Sequence, residues 1–117
     1  MNNFKELIIW QKAIELASLV YDITKSFPND EKFGLTNQLR RASVSVSSNI
    51  AEGSGRSGKK DYAMFIGYSL GSLFEIESQL IISRNLNFID QTIFEDISSR
   101  VTELQKMTYS FKQRLVT

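Results

Sequence analysis

Apolar and polar positions along the chain repeat with helical rather than strand spacing. The segment most open to misreading runs from Leu35 to Asp61, LTNQLRRASVSVSSNIAEGSGRSGKKD. Ser43, Ser45 and Ser47 alternate there with Val44 and Val46, which taken alone suggests a strand. The longer pattern overrides it: Leu35, Leu39, Ala42, Val46, Asn49 and Gly53 follow steps of four and three, one stripe along an α-helix. Upstream, Leu7, Trp10, Ile14, Ala17, Tyr21 and Thr24 define an amphipathic helix from about Leu7 to Ser26. Ala13 and Val20 widen its stripe, and Lys12, Glu15, Asp22 and Lys25 occupy much of the other side. Phe27-Pro28 ends it, because proline disfavours helical geometry in the residue before it.

A third helix is expected from a cap at Ser57 to about Asn85, apolar almost all round through Tyr62, Phe65, Ile66, Leu70, Leu73, Phe74, Ile76, Leu80 and Ile81. Gly67 and Gly71 lie four apart on one of its faces and each costs about 1 kcal/mol relative to alanine, which close packing against another helix would offset. Asn85 to Asp90 forms the last turn, with Phe88 and Ile89 tucked inward and Asp90 as N-cap. The fourth helix presents Ile93, Ile97, Val101, Leu104, Met107, Phe111 and Leu115 on one face. Four helices with short loops predict an all-α, antiparallel up-down-up-down four-helix bundle, one domain over residues 1–117. The second helix carries Asn37, Arg41, Val44, Ser48 and Ala51 on its outward face, small beyond the arginine. Together with the apolar third helix this predicts a homo-oligomer to which the second and third helices contribute.

Composition removes chemistries more than it supplies them. With no cysteine and no histidine, thiol nucleophiles, disulfides, the usual zinc sites and imidazole acid–base catalysis are excluded. The opening MNNFKELIIW has too short an apolar run for a signal peptide or a membrane span, so a cytoplasmic location without membrane contact is expected. Net charge is only +1, but residues 31–60 hold six basic and two acidic groups, a local +4.

Arg40, Arg41, Arg56, Lys59 and Lys60 are therefore the candidates for a nucleic-acid or other anion site. Arg56, Lys59 and Lys60 neighbour the free N–H groups of a helix start, a natural anion site. Arg40 and Arg41 fall near Glu75 across the hairpin, and ion pairing there is favoured over ligand contact. Gly53 to Lys60 superficially matches GxGxxG and most of GxxxxGK[ST], but a helix rather than a strand leads in and Lys60 replaces the magnesium-binding hydroxyl. Asn49, Glu52, Glu75 and Glu77 are candidates for buried polar or ion-paired groups. A metal site built from those glutamates lacks the Glu-x-x-His pattern of di-iron bundles, so neither metal nor cofactor is expected. Trp10, Tyr21, Tyr62, Tyr68 and Tyr109 are assigned to packing before base stacking.

An ordered set of short motifs runs through the chain. It comprises Leu7-x-x-Trp10-Gln11-Lys12-Ala13, Tyr21 to Phe27-Pro28, Gly34-Leu35-Thr36 with Gln38-Leu39-Arg40-Arg41-Ala42, Ser48-Asn49-Ile50-Ala51-Glu52-Gly53 with Arg56, and Gly71-Ser72-Leu73 through Glu75 and Glu77. Together they resemble the four-helix-bundle family of 23S rRNA intervening-sequence proteins, related to the accessory variability proteins of diversity-generating retroelements. The resemblance implies an antiparallel four-helix bundle and a ring-like pentamer, and it carries over no catalytic residue. The expectation is a non-enzymatic, oligomeric binding or scaffold module. Its partner is RNA, DNA or a nucleic-acid-processing protein, or alternatively another protein docked without nucleic-acid contact.

Overall fold

The computed structural model describes residues 3–117. Four α-helices make up the bundle: α1 Ile8–Thr24, α2 Leu35–Ser54, α3 Lys59–Asn85 and α4 Gln91–Val116. Each packs against its neighbours in sequence, and α1 closes the ring onto α4 along the sparsest of the four seams. The all-α antiparallel bundle predicted from periodicity is the fold observed. No helix among the described residues is long and apolar enough to cross a membrane.

Local chemistry explains where the helices stop and start. Thr24 folds its hydroxyl back onto the Val20 carbonyl (2.7 Å) at the end of α1, and Phe27-Pro28 then turns the chain. A short 3-10 turn, Asn29–Glu31, follows. Gly34 at the head of α2 has no side chain to offer, and Glu31 supplies the cap instead, its Oε1 accepting from the Leu35 N–H at 3.0 Å. The third connection closes through Asn87, whose φ of 63° lies in the left-handed region that asparagine tolerates. The Phe88 N–H then reaches the Ser83 carbonyl (2.9 Å). Asp90 caps α4 through the Ile93 N–H (2.8 Å) and Ile89 is buried, both as expected from the sequence, and Phe88 packs on Phe27 with ring centroids 5.4 Å apart. The cap expected at Ser57 is not formed: Gly58 precedes α3, with no side-chain bond.

Two stripes differ from expectation by about one residue. In α1 the buried residues are Ile9, Ala13, Leu16, Val20 and Thr24, whereas Ile14 and Tyr21 are exposed. The apolar arc of α1 is wide enough to hold two neighbouring stripes of the same spacing, and packing between α2 and α4 buries the middle of that arc. In α2 the fully buried residue of the last turns is Ile50, while Asn49 is half-buried and bonds to the Ser45 carbonyl and hydroxyl, both at 2.9 Å.

The α2–α3 seam is the most extensive and is built from small residues. Ser69 and Ser72 of α3 are buried in it, Ser69 donating across to the Val46 carbonyl at 2.8 Å and Ser72 to the Ser45 hydroxyl at 3.0 Å. Gly53 completes it: a Cβ there would lie 2.9 Å from Phe65 Cβ and 3.0 Å from Tyr62 Cδ1, so only a hydrogen fits. The glycines of α3 behave differently from expectation. Gly67 meets only the Lys112 side chain, and the Cβ position of Gly71 has nothing within 4 Å.

Candidate functional site

Loop geometry at the α2–α3 corner gathers Arg56, Lys59 and Lys60 and also separates them by role. Arg56 follows the end of α2, where Gly55 closes the helix with its N–H on the Glu52 and Gly53 carbonyls. Its guanidinium pairs with Glu52 Oε1 at 2.7 Å and lies over the Phe65 ring, 4.4 Å from the centroid. Glu52 is therefore an exposed, paired carboxylate rather than a buried one. Lys59 and Lys60 occupy the first turn of α3, exposed and in no ion pair among the described residues. Residues 54–59 and Tyr62 line an open recess of about 470 Å³ at this corner.

Arg40 is not part of that surface. Its Nε donates to the Thr24 hydroxyl at 2.9 Å, its Nη2 to the Tyr21 carbonyl at 3.3 Å, and the guanidinium stacks 4.6 Å from the Tyr21 ring centroid. The ion pairing expected between Arg40 and Glu75 is not formed: the partners of Arg40 are on α1. Tyr21, turned outward by the register of α1, is what makes that arrangement possible. Arg41 and Glu75 do face the same groove between α2 and α3, floored by Ala42, Ser45 and Ser72, yet they form no ion pair. Both are exposed. Glu77 is half-buried and accepts from Gln105 Nε2 of α4 at 2.9 Å, which satisfies its carboxylate with an amide. Glu52, Glu75 and Glu77 are not brought together, and no cluster of three potential metal-ligating side chains occurs among the described residues.

The fold creates two further surfaces away from the basic corner. One flank of α3 leaves Met64, Tyr68, Phe74, Ile81 and Ile82 exposed, with the open Gly71 among them. The other is an apolar cleft of about 530 Å³ where the start of α1 meets the end of α4, walled by Leu7, Ile9, Met107 and Phe111 and edged by Lys106 and Arg114. The signal for the first was present as the all-round apolarity of α3. The second depends on where α1 begins relative to the end of α4, which periodicity does not reveal.

Among the described residues, three buried side-chain atoms have no hydrogen-bond partner: Tyr62 Oη, Gln79 Oε1 and Thr108 Oγ1. Burial pushes the Tyr62 phenol above its ordinary pKa of 10.0, so it stays protonated and uncharged in neutral solution.

Comparison with known proteins agrees with the architecture. A solved structure from Bacteroides thetaiotaomicron, described as a protein of unknown function from the S23 ribosomal protein family, is similar at 21% identity with a TM-score of 0.81. The similarity covers 90% of this chain and 98% of that one, which shows a shared fold. Among curated proteins, none matches the chain. The model of the family described as 23S rRNA-intervening sequence protein matches residues 5–110, and no catalytic activity accompanies it. Helix order, motif order and this nearly full-length match agree, and the chain belongs to the 23S rRNA-intervening sequence protein family.

Proposed function

We propose that this protein is a non-enzymatic, self-assembling binding module. The observation that carries the proposal is the outer flank of α3, where five large apolar side chains stay exposed over about five helical turns. A second subunit covering that flank would bury them and give the open Gly71 a backbone neighbour. The groups nearest to catalytic chemistry are instead committed to structure: Arg40 to α1, Arg56 to Glu52 and Glu77 to Gln105.

Light scattering on the full chain tests the proposal. We expect a mass several times the 13.4 kDa of one subunit, falling when Phe74 and Ile82 are both replaced by serine. A wild-type monomer at all accessible concentrations would refute self-assembly.

A second reading concerns cargo. Lys59 and Lys60 form no ion pair among the described residues and lie at an α3 N-terminus with no side-chain cap, an arrangement suited to phosphate. In a ring the corner would repeat, so RNA or DNA would meet several copies and bind with a steep salt dependence. Replacing Lys59 and Lys60 together by glutamine leaves the Arg56 packing intact and should abolish such binding. Salt-independent binding, or binding that survives the replacement, would direct the search to a protein partner.

A further inference from the structure

The outer sides of α2 and α3 stand in a fixed register. Across the seam between them Ser69 donates to the Val46 carbonyl and Ser72 to the Ser45 hydroxyl, which sets the heights of the two helices against each other. Counted from those bonds, Ser48 is about level with Tyr68, Val44 with Gly71, Arg41 with Phe74 and Glu75, and Asn37 with Ser78. All of these residues are exposed. Side-chain size is complementary at two of the levels: Tyr68 stands at the height of a serine, and Val44 at that of a glycine whose Cβ position is open.

The outward face of α2 is also short of charge. Of Asn37, Arg41, Val44 and Ser48 only Arg41 is charged, and Arg40 is turned away onto α1. By contrast, the exposed sides of the outer helices carry Glu15, Asp22 and Lys25 on α1 and Glu95, Asp96 and Arg100 on α4. An apolar flank laid on α1 or α4 would strip water from several charges, whereas α2 presents one. That one has a counterpart at its own height on α3. Arg41 and Glu75 are both in no ion pair among the described residues.

We propose that the outer flank of α3 in one copy packs on the outward face of α2 in a second copy. Rotation about an axis running along the bundle leaves heights unchanged, so the register within the chain carries over to the pair. Tyr68 then covers Ser48 of the second copy, whose Val44 fills the space over Gly71 and whose Arg41 lies between the Glu75 carboxylate and the Phe74 ring. The contact joins two different surfaces, and its repetition sets α2–α3 hairpins side by side until they close. This rests on the reading of the protein as self-assembling, and it adds the partner face and the register.

The absence of cysteine allows disulfide trapping at positions that supply none of this packing. Asn37→Cys and Ser78→Cys would be placed in separate, differently tagged chains, co-expressed and gently oxidised. The control pairs Asn37→Cys with Ser99→Cys, exposed on α4 at nearly the height of Ser78, since Gln105 bonds to Leu73 and Glu77. We expect the 37–78 heterodimer severalfold above the 37–99 product. Arg41→Glu should raise the concentration needed for half-assembly severalfold, and adding Glu75→Arg to the same chain should reverse that. The denaturation midpoint of the dilute monomer should change little in either variant, which separates this effect from folding. A 37–78 yield no higher than the control, with a wild-type chain that light scattering shows to be assembled, overturns this contact and leaves self-assembly standing. A wild-type monomer overturns both. Predominance of 78–78 dimers overturns the contact too, and sets α3 against α3. Assembly unchanged by Arg41→Glu has the same consequence for the register.

Discussion

The two faces of α3 share one helix and much the same residue types, yet they meet different surroundings. Leu73 and Phe74 are adjacent in sequence; Leu73 is fully buried against α2 and α4, and Phe74 is 51% exposed on the outer flank. The inner face is closed by small residues, with Gly53 and the buried serines bringing α2 against it. The outer face has its own small residue, Gly71, but nothing is near it. Apolar character alone thus does not say whether a helix face is part of this chain's core. What decides it is whether another helix of the same chain approaches.

The sharpest break in the comparison comes from truncating the two neighbours. Leu73→Ala should cost about 2–5 kcal/mol of folding stability through lost burial and the cavity left behind. Phe74→Ser should leave the folding stability of the monomer within about 0.5 kcal/mol while lowering the oligomer population. Chemical denaturation at low concentration, paired with light scattering, reads both. A large folding loss from Phe74→Ser would mean that the outer flank is part of the monomer's core.

Glycine replacements give a smaller contrast of opposite sign. Gly53→Ala puts a methyl 2.9 Å from Phe65 Cβ and 3.2 Å from the Tyr62 carbonyl, so α2 and α3 must separate, at about 1–3 kcal/mol. Gly71→Ala meets open space and should stabilise the monomer by about 1 kcal/mol through helix propensity. If the flank is an interface, the same methyl should weaken assembly. Thermal melts of the two variants should therefore move in opposite directions.

Much of the fold was legible because it is local. Phe27-Pro28, the Asp90 cap and the 3–4 spacing of α2 and α4 act within a few residues, and the structure follows them except at Asn49, which is half-buried beside Ile50, and Ile93, which is exposed. What was not legible depends on how helices are rotated against one another. Ile14 and Tyr21 belong to a stripe as regular as the true one, and only the approach of α2 and α4 selects Ile9 and Leu16. The Arg40 assignment failed for the same reason: with Tyr21 turned outward at the α1–α2 edge, its ring and carbonyl are closer than Glu75. Arg56 with Glu52 was within reach of sequence reasoning, being an i, i+4 pair, whereas the α1–α4 cleft was not.

The smallest expected effect concerns the inner face near the α2–α3 corner. Tyr62 is buried there with its ring edge-on to Phe111, 5.6 Å between centroids, and its hydroxyl has no partner. Burying an unpaired hydroxyl is unfavourable, so Tyr62→Phe should stabilise the fold by about 1 kcal/mol at neutral pH. The pH dependence follows from the raised pKa. Above the ordinary value of 10.0 the unfolded chain loses the phenolic proton while the folded chain retains it. The unfolded state then binds fewer protons, and stability falls as pH rises. The contribution is thus fully present below about pH 10 and is lost through the alkaline range above it. Tyr62→Phe should flatten that alkaline limb, while Tyr68→Phe on the exposed flank should not. An equal effect from both would mean that the inner and outer faces of α3 hold their tyrosines in similar surroundings, and the contrast between the faces would fail at this point.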